Sequence, residues 1–584
     1  MLTLKGPPFN DIGVSLDTIR RALRQLPIDR LNRLATRMTT AAAPARFSID
    51  VRRLPWFRRL ATDYAYAFDA LAPFYAGNPA EPGAWREAID RATAHPRPRP
   101  ALAETLVAQQ RRFGAPPAAV AAAARLADPR AVAVVTGQQA GLFGGPLFTL
   151  LKALTAVTRA AEVERRFQAP AVPVFWIEAE DHDWDEVASA SVLDGDVEPR
   201  RVTLPSPPGA GTLPVARVAL GDQAAAAIDG LAASLPQTEF TAVLLDALRA
   251  AYRPGASLPE GFARWMLHVL GERGLVVYDA SDPAMKRLAA PVFAQEIRNA
   301  GRTSVLANQA GHDLATRGYH AQVEAGDDAL ALFLIDGART PVRPDADGFV
   351  VGETRRSAAD LLALVEATPW TFSPNVLLRP IVQDTIFPTV AYVAGPNELA
   401  YLGQLRGVYA GFGVPMPLMV PRASATLLDS ASMKFLAKTG LMLESLGQRD
   451  EAALNRLLEQ HLPAGVERAW QEADEHVSTR MQALIKAVPA IDPTLEGAAR
   501  SALGRMKHDL DTLHAKLVQA AKRRDDTLRR QFAHTQALAF PGGDPQERAI
   551  GFVSFLNRYG PALVDRLLTE LPWDDAGHHW VLTM

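Results

Sequence analysis

The 584-residue sequence contains no cysteine. Disulfides, thiolate metal sites and a cysteine nucleophile are thereby excluded. It also lacks any uninterrupted apolar run of about 18 residues, the length that a membrane-spanning helix needs. Its start, MLTLKGPPFNDIG, has no apolar stretch of about 7–15 residues followed by a small-residue cleavage site. A soluble, cytoplasmic protein is expected. Excess charge of either sign is missing too: 62 Lys and Arg stand against 64 Asp and Glu, for a formal net charge of −2. The global field of a dedicated nucleic-acid binder is absent, so no nucleic-acid partner is expected. The 40 glycines and 44 prolines fall well short of the roughly 25–30% found in low-complexity chains. What is abundant is material for a core. Hydrophobic residues make up 48% of the chain and charged residues 22%, and about 150 residues per domain gives about four domains, or fewer with large insertions.

Residues 1–128 are rich in alanine and arginine, with helix-like patches such as ALAETLVAQQRRF broken by PRPRPA and GAPPAA, where proline removes a helix donor. The character changes at about 131. AVAVV reads as a buried strand, TGQQAGLFGGP follows, and Leu147, Leu150, Leu151, Leu154 and Val157 then recur at helical spacing. Pro146 falls at the first helical turn, where its missing N–H costs nothing. AVPVFWIEAEDHDWDEV is a second apolar strand ending in acids. Strand, glycine-rich turn, helix, strand is a βαβ unit and predicts a parallel α/β sheet. Residues 195–265 and 300–370 read as insertions. The α/β pattern resumes over 266–299, with GLVVYD at 274–279, and again over 371–430, which leaves 1–194 as an N-terminal helical segment plus the first part of the core. From 431 to 584 the chain reads as helical. Leu503, Met506, Leu510, Leu513, Leu517 and Ala520 step by three and four, the spacing of a coiled-coil seam. A homodimer and an intramolecular hairpin both explain it.

Three segments could carry chemistry, with a fourth stretch near the C-terminus as a further candidate contact. In the first, Gly137, Gln138, Gln139, Gly141, Gly144, Gly145 and Pro146 join a strand to a helix. Glycines let backbone approach a ligand, and a helix N-terminus offers N–H groups to phosphate or carboxylate. The segment lacks the Gly-Lys-Ser/Thr ending of a Walker A loop and the spacing of GxGxxG, and a plain tight turn is the alternative. The second is Glu178-Ala179-Glu180-Asp181-His182-Asp183-Trp184-Asp185-Glu186, placed beyond the carboxyl end of a strand, where open α/β sheets bind ligands. Glu180, Asp181, His182 and Asp183 are the candidate catalytic groups: a general base, an ammonium anchor or a carboxylate site for Mg²⁺. A solvated acidic loop with a helix N-cap is the bland reading, and one histidine among acids does not make a zinc set. The third comprises Asn375 and Arg379 with Gly395, Pro396, Asn397 and Glu398. Arg379 could bind a carboxylate or phosphate bidentately or serve as an ordinary ion-pair partner, and Arg422 has the same standing. Asn557 and Tyr559 in PGGDPQERAIGFVSFLNRYG could form a second nucleotide contact or simply dock the tail.

VVTGQQAGLFGGPLFTLLKAL, VPVFWIEAEDHDWDEV, LLRPIVQDTIFPTVAYVAGPNELAYLGQL and FPGGDPQERAIGFVSFLNRYG, in that order, resemble the cysteine-adding enzymes (cysteine ligases) of bacillithiol biosynthesis. The resemblance implies an α/β fold: a Rossmann-like parallel-sheet core interrupted by two insertions, with a C-terminal α-helical coiled-coil region that supports a homodimer. It implies joining of cysteine to the amine of glucosaminyl-malate; because condensing a carboxylate with an ammonium group in water is uphill, ATP, accompanied by Mg²⁺, is the expected activator, and no metal-ligating residues are expected. The core is similar to adenylate-forming nucleotidyltransferases, whose loop carries two histidines; Gly141 to Pro146 contains none. The competing expectations are a nucleotide-dependent ligase or nucleotidyltransferase with another amine acceptor, and a non-catalytic nucleotide-binding dimeric scaffold.

Overall fold

The computed structural model describes residues 46–326, 330–447, 451–460, 464–524 and 526–584. Its centre is a five-stranded sheet made of β2 (Val132–Gln139), β3 (Ala171–Glu178), β6 (Val276–Asp279), β12 (Thr389–Ala394) and β13 (Leu418–Pro421). The spatial order is β13-β12-β2-β3-β6, and every neighbouring pair is parallel. β2 and β3 are buried along nearly their whole length, because helices cover both faces. That is why they read as continuous apolar runs rather than alternating ones. The order reverses direction at β2: the chain winds outward through β3 and β6, returns, and winds the other way through β12 and β13. A crevice opens at such a switch point, beyond the carboxyl ends of the strands.

Helix α1 (Leu147–Phe167) packs on β2 and β3, and α2 (Leu258–Leu270) on β3 and β6. The open edge of β6 is covered by side chains rather than by another strand. Gln110, on the helix Arg99–Arg112, accepts from the Val277 N–H at 3.1 Å and donates to the Val277 carbonyl at 2.7 Å, while Gln109 accepts from the Asp279 N–H at 3.1 Å. Exposed edges invite pairing with other chains, and these amides close this one.

Two insertions leave the sheet. The first begins with an antiparallel hairpin of β4 (Ser189–Leu193) and β5 (Pro199–Thr203) and continues as helices, the last of which is α2. The second carries an antiparallel sheet with the order β10-β9-β8-β7-β11, made of β7 (Leu332–Asp336), β8 (Ala338–Asp345), β9 (Gly348–Val351), β10 (Thr354–Arg356) and β11 (Phe372–Pro374). Helix α3 (Pro283–Arg298) lies between the core and this second insertion.

The C-terminal region is mostly helical but not wholly so. A strand β15 (His578–Thr583) lies between β1 (Arg46–Asp50) and β14 (Ala425–Leu428), antiparallel to the first and parallel to the second. The all-helical expectation for 431–584 is corrected there. Two long helices, α6 (Ala464–Ala487) and α7 (Leu495–Arg524), form an antiparallel hairpin within the chain. Its register is fixed by Glu467 with His514 (3.1 Å), Trp470 Nε1 with the Leu510 carbonyl (3.2 Å), and Asp474 with Lys507 (3.1 Å). Of the heptad seam, Leu503, Leu510 and Leu517 are half-buried, whereas Met506, Leu513 and Ala520 are exposed. The first 45 residues and the sequence-level expectations for them lie outside the described residues. Among the described residues no helix is long and apolar enough to cross a membrane.

A buried polar network joins the core to the C-terminal region. Arg422, at the end of β13, makes two bonds to the Glu547 carboxylate at 2.9 and 2.7 Å, so it is an ion-pair partner in the interior. Glu547 also accepts from Ser424 Oγ at 3.0 Å and the Ala425 N–H at 3.1 Å. His579 on β15 is held between Ser424 Oγ (Nδ1, 2.7 Å) and Thr426 Oγ1 (Nε2, 2.8 Å). Burial pushes the imidazole down to about 4, with Glu547 acting the other way. A neutral His579 binds no extra proton in the folded state, whereas the unfolded histidine takes one up below pH 6.5, so stability falls as pH drops through that window. We expect denaturant titrations to show a loss of about 3 kcal/mol between pH 6.5 and pH 4 from this group, and His579→Gln to remove that part of the slope.

Candidate active site

The carboxyl end of β2 forms the floor of a cleft of about 620 Å³. At Gly137 a Cβ would come to 2.9 Å from the Trp176 carbonyl oxygen of β3, so glycine is required there by the neighbouring strand. The Gly137 carbonyl accepts from Lys152 Nζ at 2.6 Å. Lys152, on α1, is fully buried and also reaches Gln138 Oε1 (3.3 Å) and Glu398 Oε2 (2.6 Å). Glu398 lies in α5 (Pro396–Leu402), just after β12, and further accepts from Tyr392 OH (3.0 Å) and the Gly395 N–H (2.6 Å). Burial works against its charge, but the Lys152 ammonium and the Gly395 N–H together hold its carboxyl below the usual range. Lysine and glutamate thus tie β2 to β12 at the point where the sheet reverses.

The acidic segment after β3 divides according to which way each side chain turns. Glu178 lines the cleft, with Trp176 Nε1 donating to it at 3.3 Å. Asp181 lines it too. It accepts from Gln139 Nε2 at 3.1 Å and from the His182 N–H at 2.8 Å, with Arg339 Nη1 at 3.8 Å. Gln139 Nε2 also donates to Glu186 at 2.7 Å, so one amide orders two cleft carboxylates.

Glu180 turns the other way, into the interior. It pairs with Lys286 of α3, which also donates to the Phe372 carbonyl of β11 at 2.9 Å. Burial pushes Glu180 up to about 7 even beside this lysine. His182 points outward, with its side chain 47% exposed and its nearest acid Asp181 at 3.5 Å. Asp183 caps the one-turn helix Trp184–Val187 by accepting from the Glu186 N–H. Of the four expected catalytic groups, the cleft therefore receives Asp181 alone. The other three are corrected to a buried structural pair, an outward side chain and a helix cap.

Two arginines face these acids. Arg379 begins α4 (Arg379–Ile386), and its guanidinium lies 5.6 Å from the Trp176 ring and 5.5 Å from the Tyr392 ring. Its Nη1 donates to Gln383 Oε1 at 3.0 Å. Arg339, from β8, lies over Phe333 at 3.8 Å and donates to Ser373 Oγ (3.2 Å) and the Pro374 carbonyl (3.1 Å). Asn375 lines the cleft and accepts from the Leu377 and Leu378 N–H groups, which fixes the entry to α4. Tyr392, Tyr401, Val376 and Pro374 complete the walls. The cleft presents carboxylates on the β3 side and guanidinium groups from α4 and the second insertion, a layout suited to a small ligand that carries both an amine and carboxylates.

The glycine turn does not open into this cleft. At Gly144 (φ +96°) a Cβ would come to 2.3 Å from the Phe552 ring. The first N–H of α1, at Leu147, donates to the Ile550 carbonyl at 2.8 Å, and the Phe552 N–H donates to the Gly145 carbonyl at 3.1 Å. Pro146 bridges to Gly551. Gly144, Gly145 and Pro146 thus receive residues 550–552 of this chain. Pro396 and Asn397 face a separate small cavity beside Arg58, Arg59 and His320, and Gly395 contributes its N–H to Glu398. Asn557 is buried, accepting from Thr241 Oγ1 (2.8 Å) and donating to the Pro236 carbonyl (2.9 Å), and Tyr559 packs partly buried against the core. Asn557 docks the tail onto the first insertion.

Lys152, Trp176, Arg339, Tyr392 and Tyr401 were not expected at the site. Lys152 carried a signal: it is the one charge among the apolar residues of LFTLLKALTAV, directly after the turn. Arg339 carried none, because its place depends on how the second insertion folds back. Among the described residues no three His, Asp or Glu side chains are grouped to hold a metal ion.

Residues 48–423 match the family model for the N-terminal Rossmann-like domain of bacillithiol biosynthesis BshC, and residues 425–584 match that of its C-terminal coiled-coil domain. Curated relatives carry the name "Putative cysteine ligase BshC". One from Salinibacter ruber is 37% identical over 90% of this chain and 96% of its own length. Another from Chlorobaculum tepidum is 35% identical, covering 83% of this chain and 89% of its own length. A third from Symbiobacterium thermophilum is 34% identical, with 82% and 89% covered.

The packing of the glycine turn has a direct test. Gly144→Ala meets both a left-handed φ and the Phe552 ring, so it is expected to lower unfolding free energy by about 2–4 kcal/mol in urea titrations. A turn open to a ligand would lose only the cost of the left-handed φ, about 1–2 kcal/mol.

Proposed function

The chain belongs to the bacillithiol biosynthesis BshC family, and on that premise we propose that it is a cysteine ligase acting in the cytoplasm, which forms an amide between the cysteine carboxylate and the amine of glucosaminyl-malate. The observation that carries this reading is the facing of Asp181, Glu178 and Glu186 against Arg339 and Arg379 in one cleft at the switch point. The malate carboxylates pair with Arg379 and Arg339, whose planar forks suit carboxylate geometry. The sugar amine sits beside Asp181, which is ordered by Gln139 and takes the proton released as the amine attacks. Tyr392, Tyr401 and Trp176 shield the bound groups from water and strengthen these charge interactions.

Condensing a carboxylate with an ammonium group in water is uphill. We take ATP, with Mg²⁺ on its phosphates, as the co-substrate that supplies a leaving group on the cysteine carboxylate. No residue of the turn from Gly141 to Pro146 is assigned to it, since Ile550 to Phe552 fill that turn.

The functional unit we propose is a homodimer through the C-terminal helices. Its support is the apolar stripe of Met506 and Leu513, exposed by 44% and 51% on the side of α7 that α6 leaves uncovered. Such spacing suits a second helical surface.

Two measurements test these readings. Incubation of the pure protein with cysteine, glucosaminyl-malate, ATP and Mg²⁺, followed by mass spectrometry, is expected to give the amide product. Asp181→Asn is expected to cut turnover by about 100-fold with an unchanged thermal transition. Product only with a different amine would point to another ligase, and nucleotide binding without turnover to a scaffold. Separately, Met506→Glu with Leu513→Glu is expected to convert a dimeric mass in light scattering to a monomeric one with helical content retained; a monomeric parent protein sinks the dimer.

A further inference from the structure

Arg379 faces the cleft, yet its direct partners are neutral: Nη1 donates to the Gln383 amide oxygen at 3.0 Å, one helical turn along α4, and the Tyr401 hydroxyl is its other side-chain partner. Among the described residues no carboxylate comes within salt-bridge distance of it; Glu178 is felt only at longer range. Gln383 is itself buried, and its Nε2 donates to Asp384 Oδ1 at 2.8 Å. Asp384 is buried as well and receives Tyr409 OH on its other oxygen. Burial pushes Asp384 up, while the hydroxyls of Thr389 and Tyr409 and the Gln383 amide, with Arg379 beyond them, act the other way.

The two ends of a glutamine amide have nearly the same shape but opposite hydrogen-bonding roles. Here the neighbours leave one choice. A guanidinium only donates and a carboxylate only accepts, so the oxygen must face Arg379 and the nitrogen Asp384. A carboxylate placed where Gln383 stands would orient Arg379 equally well, but it would also neutralise it. An amide orients it and leaves its charge in place, while Asp384 sets the amide's sense from one residue further back.

We propose that Gln383, oriented by Asp384, is a positioning residue that holds Arg379 through a neutral acceptor and so reserves its positive charge for a ligand carboxylate. This deepens the dicarboxylate reading of the cleft and rests on it for the identity of the ligand. The arrangement also accounts for a buried acid standing one step away from an arginine rather than touching it.

The test moves the charge by one step. In the double variant Gln383→Glu with Asp384→Asn, shapes, net charge and number of hydrogen bonds are kept. The carboxylate now touches Arg379, and the new amide can donate to it. Calorimetric titration of the full chain with L-malate, and separately with inorganic phosphate, is compared with the parent protein. Thermal melting reports folding, and a variant that fails to fold is replaced by Asp384→Asn alone, which unfixes the amide without adding an acid beside Arg379. We expect malate affinity to fall by about tenfold or more in the double variant and by a smaller factor in Asp384→Asn. Unchanged affinity in a folded variant overturns the proposal, as does a parent protein that binds neither anion. Phosphate binding that weakens in the variant while malate never binds supports the role of Gln383 and rejects the dicarboxylate assignment.

Discussion

A doubly wound sheet has to diverge somewhere, and in this chain the divergence is bridged by one buried ammonium group. Lys152 reaches across the gap between β2 and β12, bonding the Gly137 carbonyl on one side and Glu398 on the other. Removing a lysine amine from water is costly unless its donors are met, and here carboxylate, amide and carbonyl all meet it. The consequence is geometric. With the two strand ends fixed, Gln138, Gln139, Tyr392 and Glu398 keep constant places around the crevice, and the acids after β3 and the arginines of α4 and β8 are arranged around that fixed floor.

Burial sorts the charged groups around this floor into two kinds. Some are paired off completely. Glu180 with Lys286 fastens the acidic loop to α3 and, through the Phe372 carbonyl, to the second insertion, and Arg422 with Glu547 fastens the core to the C-terminal region. Others are oriented with little or no direct ion pairing. Asp181 and Glu186 share an amide, while Arg339 and Arg379 lean on hydroxyl, carbonyl and amide oxygens, with Arg339 only loosely paired to Asp181 at 3.8 Å. Fully paired charges hold the framework together, and oriented, loosely paired ones are what a ligand can engage.

The sequence displayed this framework more clearly than it displayed the direction of individual side chains. β2 and β3 were readable because both faces are covered, so their apolar runs are uninterrupted. Their parallel pairing brings Gln139 and Glu178 level, in register, and the convergence of the glutamine turn with the acidic segment follows from it. Within Glu180-Asp181-His182-Asp183, however, no period applies, and only the packing of α3 and β11 decides that Glu180 turns inward while Asp181 turns to the cleft. The glycines misled for a related reason. A glycine that admits a ligand and one that admits Phe552 look alike in sequence, and the residue that decides between them lies some four hundred positions downstream. β15 was hidden in the same way, since HHWVLT becomes a strand only because β1 and β14 flank it.

That last pairing bears on how the chain reaches its native state. Arg46, on β1, stands opposite Leu582 on β15, more than five hundred positions later in the sequence, so the two strands meet by closing a loop that contains both the sheet and its insertions. Closing so long a loop is entropically unfavourable until the intervening segments have condensed. The three-stranded sheet therefore works as a latch that engages late, and its hydrogen-exchange protection is a measure of whether assembly of the whole polypeptide has finished rather than of any one part of it.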